Sequence, residues 1–94
     1  MKNVHKMRPH VPMPRISTWR SRDSLTTGMY YAEATYGHVT VGLWVERRGA
    51  RQWYFELVAG MYEVVAAGTA TSLRAAKEVV VARADALFCE LAYA

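Results

Sequence analysis

Between residues 29 and 67 the chain is made of short runs of aromatic and β-branched residues cut by single glycines. The runs 30–36, 39–47, 51–58 and 61–67 are separated at Gly37, Gly49 and Gly60. Runs of this length and composition, divided by tight glycine turns, read as antiparallel strands joined by hairpins. Side chains alternate between the two faces of a strand, so a one-residue slip exchanges the faces. The loop lengths that keep one face apolar are two residues at Gly37-His38, three at Arg48-Gly49-Ala50 and two at Ala59-Gly60. The inner rows across the sheet are then Tyr30-Val45-Trp53-Ala66, Ala32-Leu43-Phe55-Val64 and Ala34-Val41-Leu57-Tyr62.

After Gly68 the period changes from two to between three and four. Leu73, Ala76, Val80, Ala84, Leu87 and Leu91 fall on one helical stripe, with Thr71 or Ser72 able to cap it and Arg74, Glu78 and Asp85 opposite. Residues 1–28 show no sustained period, and Pro9, Pro12 and Pro14 exclude a regular helix there. The predicted fold is therefore α+β: a four-stranded antiparallel meander, order 1-2-3-4, with one C-terminal helix on one face. Residues 1–28 form an irregular basic arm and linker, and residues 29–94 the folded domain.

One helix covers one face of such a sheet. The same register turns Tyr31, Trp44 and Tyr54 outward in one row, and Glu33, Gly42, Glu56 and Glu63 outward in the next. A contiguous aromatic patch on an open sheet needs a cover or a partner. Four occupants fit: the chain's own arm, with Trp19 on the aromatics and Arg15, Arg20 or Arg22 on the glutamates; a second copy; another protein; or stacked bases of a nucleic acid. Adjacent glutamates repel phosphates, which places the last reading behind the others.

Charge is distributed unevenly. The chain carries +4 overall, yet residues 1–22 contain Lys2, Lys6, Arg8, Arg15, Arg20 and Arg22 and no acid, which leaves the remainder mildly acidic. Basic terminal arms contact nucleic acid or other acidic surfaces. Arg47, Arg48 and Arg51 form a second basic locus in one hairpin. The stretch Gly68-Thr69-Ala70-Thr71-Ser72-Leu73-Arg74-Ala75-Ala76-Lys77 resembles the strand-to-helix junction of double-stranded-RNA-binding domains, with Arg74, Ala76 and Lys77 on matching positions. That resemblance implies phosphate contacts from the first helical turn. Leu73 stands where that family has a basic residue, and the family's first helix has no counterpart.

Chemistry-bearing groups are sparse. Cys89 is the one cysteine, so no internal disulfide forms, and this suits a reducing, cytoplasmic setting. His5, His10 and His38 match no metal spacing. Glu56 and Glu63, paired in the predicted register, are the one candidate acid–base couple, but a flat sheet face lacks the enclosure such chemistry needs. No apolar run is long enough to span a bilayer, and the first 22 residues lack the apolar block of a secretory signal. These features point to a small non-enzymatic binding protein without cofactor or metal. Its partner is another protein or a second copy, engaged through the outer face (Tyr31, Trp44, Tyr54, Glu33, Glu56, Glu63) and the basic arm. Small domains of this kind are common among viral (phage) and mobile-element products that inhibit a host protein. The alternative is a nucleic-acid-binding accessory protein using Arg8, Arg15, Arg20 and Arg22 with Arg47, Arg48 and Arg51.

Overall fold

The computed structural model describes residues 14–23 and 26–93. Six strands precede one helix: β1 (Arg15–Ile16), β2 (Arg20–Asp23), β3 (Thr26–Tyr36), β4 (Val39–Gly49), β5 (Gln52–Ala59), β6 (Glu63–Ala70) and α1 (Leu73–Tyr93). They form one antiparallel sheet. Strands β3 to β6 lie side by side in chain order, while β1 and β2 both pair with the outer edge of β3. The α+β class and the meander order are as the sequence predicts, but the strand number is six rather than four. The difference lies in residues 15–23. Prolines upstream favour extended chain, which is also the conformation an edge strand needs, and the 11-residue β3 offers free backbone groups to pair with. Ser17 bridges the gap between β1 and β2. Its N–H donates to the Glu33 carbonyl at 2.9 Å, and its hydroxyl accepts the Glu33 N–H at 2.9 Å.

The β3–β4 register matches the prediction at every pair, from Met29 with Glu46 to Tyr36 with Val39. Gly37 opens the turn at φ 62° and His38 does not take a positive φ, as a glycine-first type II′ turn requires. The next two hairpins differ. Strand β4 runs on through Gly49, and the turn is Ala50-Arg51, with a bulge between Arg47 and Gly49 that absorbs the extra residue. Val45 therefore faces Phe55 rather than Trp53, a slide of two residues that leaves each side chain on its expected face. The β5–β6 turn is Gly60-Met61-Tyr62, with Gly60 and Tyr62 both at positive φ, and a second bulge separates Val64 from Ala66. Tyr62 and Val64, expected inside, are 86% and 48% exposed. Gly68 belongs to the interior of β6, where it lies under the Phe55 ring. A Cβ at this position would come within 2.7 Å of Phe55 Cζ, so only glycine leaves room for the ring.

The core lies between the sheet and α1. Ala32, Ala34, Val41, Leu43, Val45, Phe55 and Leu57 meet Ala76, Val80, Ala84 and Phe88, all of them at most 4% exposed. Ser72 caps the helix, its hydroxyl accepting the Ala75 N–H at 3.1 Å. The buried stripe runs at strict four-residue spacing and so winds about 40° around the helix at each step, following the twisted sheet beneath. This winding selects Phe88 and not Leu91, which is 48% exposed. Phe88 stacks against Tyr36 at 5.4 Å between ring centroids. Burying a phenylalanine side chain stabilises the fold by about 1.5–3 kcal/mol. Ile16 and Trp19 extend this packing from the edge segment, and Lys77 Nζ lies 5.2 Å from the Trp19 and Tyr30 ring centroids. Trp19 thus serves the helix-covered side and does not cover the outward aromatics.

Candidate ligand-binding face

The outer face is built by the alternate residues of the strands that build the core. The two-residue slide of β5 along β4 sets its rows. They read Tyr31-Trp44-Glu56-Ala67, then Met29-Glu46-Tyr54-Thr69, with Glu33-Gly42-Val58-Val64 on the other side. Separate aromatic and acidic rows are not formed: aromatic rings and carboxylates interleave. Trp44 Nε1 donates to Glu46 Oε1 at 3.3 Å, and Arg48 Nε donates to the other oxygen of the same carboxylate at 2.9 Å. The Arg48 guanidinium lies 4.3 Å over the Tyr54 ring. Tyr54 in turn is hydrogen-bonded to Glu56, and this bond, helped by partial burial and the Glu56 charge, pushes its phenol above the usual tyrosine value.

Where β4 carries Gly42 the side-chain layer has a hole. Tyr31, Glu33, Trp44, Glu56, Val58 and Tyr62 stand around it and enclose an open hollow of about 540 Å³. The face is concave here, contrary to the flat surface predicted. A Cβ on Gly42 would touch only Val58, at 3.8 Å, so the hollow follows from the missing side chain and not from backbone strain.

Four of the six predicted face residues, Tyr31, Trp44, Glu33 and Glu56, line this hollow. Tyr54 sits in the neighbouring row beneath Arg48. Glu63 is separated from Glu56: it pairs with Ala59 at the start of β6, whereas Glu56 faces Ala67, so the predicted carboxylate couple does not form. The slide and the three-residue turn remove it. Tyr62, Val58 and Glu46 join the site unpredicted. The ambiguous turn signal of Ala59-Gly60-Met61-Tyr62 concealed Tyr62, and a choice of loop length there decides its face.

The basic residues do not converge. Arg47 lies 6.0 Å from the Trp53 ring centroid on the helix side, Arg48 is on the outer face, and Arg51 is exposed in the turn. Arg15 and Arg20 are exposed on the edge segment, paired with Thr35 and Tyr31. Arg22 belongs to β2, and Arg8 lies outside the described residues with His5 and His10. Of the residues matching the RNA-binding helix start, Arg74 is exposed, while Lys77 is engaged with Trp19 and Tyr30. Cys89 is exposed on α1. Among the described residues no three His, Cys, Asp or Glu side chains are grouped to hold a metal ion, and no helix is long and apolar enough to cross a membrane. Comparison with family models, curated proteins and solved structures finds no match to this chain.

Proposed function

We propose that this chain is a small non-enzymatic protein-binding module whose contact surface is the outer face of its sheet. One observation carries this reading: Tyr31, Trp44 and Tyr62 surround an open hollow on the face opposite α1. The core is complete without them. Aromatic side chains gathered around an exposed concavity are the residue types and the shape that anchor protein interfaces. A binder of this size acts by occlusion, which is how an inhibitor of phage or mobile-element origin blocks a host protein, and it needs no catalytic group.

The test is Trp44→Ala combined with Tyr62→Ala. Circular dichroism should be unchanged, while binding to the partner protein, or self-association measured by light scattering, is lost. A variant that keeps both fold and every interaction overturns the reading. The nucleic-acid alternative draws less support, because Arg47 and Arg48 leave β4 on opposite faces and each engages an aromatic ring. It predicts an affinity that falls steeply with salt, and an absence of nucleic-acid binding at low salt removes it.

A further inference from the structure

The composition of the outer-face hollow selects its ligand by charge. Tyr31, Trp44 and Tyr62 supply aromatic surface, Glu33 and Glu56 supply carboxylates, and no lysine or arginine lines it. Glu46, at its rim, is already paired with Arg48. That pair is the one ion pair among the described residues, so neither Glu33 nor Glu56 is held in an ion pair there; Arg15 and Arg20, the nearest basic residues along the β3 edge, stand opposite Thr35 and Tyr31 and do not line the hollow. Aromatic faces attract cations through the ring quadrupole, and neighbouring carboxylates add a Coulomb attraction that is stronger in a partly desolvated hollow than in open water. The same chemistry is already realised beside the hollow, where the Arg48 guanidinium lies over Tyr54 and bonds to Glu46.

We infer that the hollow floored by Gly42 receives the cationic head of an arginine or lysine side chain, presented by an extended basic segment of a partner protein. A peptide source follows from the shape. The hollow opens on the uncovered sheet instead of closing around its contents, so the backbone that carries the cation can lie across the face. The inference rests on the outer face being the contact surface, and it names what that surface recognises.

The experiment titrates the full chain with an acetylated tetra-arginine amide and with its uncharged tetra-citrulline isostere, following the Trp44 indole and Tyr62 ring resonances by NMR. Tetra-arginine is expected to shift both resonances and tetra-citrulline neither. Glu33→Gln with Glu56→Gln should weaken binding about tenfold or more. Gly42→Val should abolish it by filling the floor, while leaving the fold intact, because its Cβ meets only Val58 at 3.8 Å and the backbone at Gly42 is not in the left-handed region. Equal shifts from tetra-citrulline, no shift from tetra-arginine, undiminished binding by a folded Gly42→Val chain, or a face occupied by a second copy with no peptide effect would each overturn the inference. If tetra-arginine leaves the hollow untouched while Trp44→Ala with Tyr62→Ala still abolishes partner binding, the cationic ligand is rejected and the binding face stands.

Discussion

Strands β4 and β5 contribute alternate residues to two faces that reach opposite physical states. Val41, Leu43, Val45, Phe55 and Leu57 are at most 4% exposed beneath the helix. Their neighbours Trp44, Glu46, Tyr54, Glu56 and Val58 remain only half-buried. The inner face is apolar and closely packed, since Ala76 and Ala84 let the helix approach closely and Gly68 makes room for Phe55. On the outer face a glycine leaves a hole that no described side chain fills, and rings with polar edges are bonded to carboxylates at its margin. One face is packed for stability. The other, on the function proposed above, is the surface that meets a partner.

If that contrast holds, the largest stability loss comes from the inner face. Phe88→Ala should cost about 3–5 kcal/mol in urea unfolding, while Leu91→Ala, the residue that periodicity alone favoured, should cost well under half of that. Gly68→Ala comes next, at about 1–3 kcal/mol, because the added methyl must displace the Phe55 ring. The companion change Phe55→Leu should relieve the penalty, and additive losses would show that the clash is not its cause. Trp44→Ala on the outer face should cost roughly 1 kcal/mol yet remove binding, which separates the two faces by function. Arg48→Ala is the smallest, roughly 0–1 kcal/mol, since its ion pair with Glu46 is solvent-exposed.

A pH measurement sharpens the picture of the outer face without altering its shape. Folding holds the Tyr54 phenol above the ordinary value of 10.0, chiefly through its hydrogen bond to Glu56, with Arg48 opposing. The stability tied to the neutral phenol is fully present below pH 10 and is lost as the pH rises through the folded-state value. In an ultraviolet titration Glu56→Gln should move Tyr54 back toward the ordinary range and Arg48→Ala should move it further up. A titration unchanged by both substitutions would place Tyr54 outside the network of Glu46, Arg48 and Glu56.

Local signals were sufficient for much of this protein. Glycine positions and two-residue alternation determined the hairpins, the β3–β4 register and the face on which Tyr31, Trp44 and Glu56 emerge; a change of period determined the helix and its Ser72 cap. Only tertiary structure decided the rest. The bulge at Arg48 slid β5 along β4 by two residues, which preserves alternation and so leaves no mark in the pattern, yet it moved Glu56 from an acidic row to a place beside Trp44. The bulge at Val65 exchanged the faces at the turn end of β6, which turned Val64 outward and detached Glu63 from Glu56. The edge strands β1 and β2 have too few residues to show a period and exist because β3 presents free backbone groups to them. Phe88 outranked Leu91 because a twisted sheet, and not an ideal stripe, sets which helical positions are buried. The hollow at Gly42 became a concave site only when a third strand and the Tyr62 turn closed around it. Between bulges alternation specifies which face a side chain takes, whereas the bulges and the neighbours on each face depend on register, and register is settled by packing across strands distant in sequence.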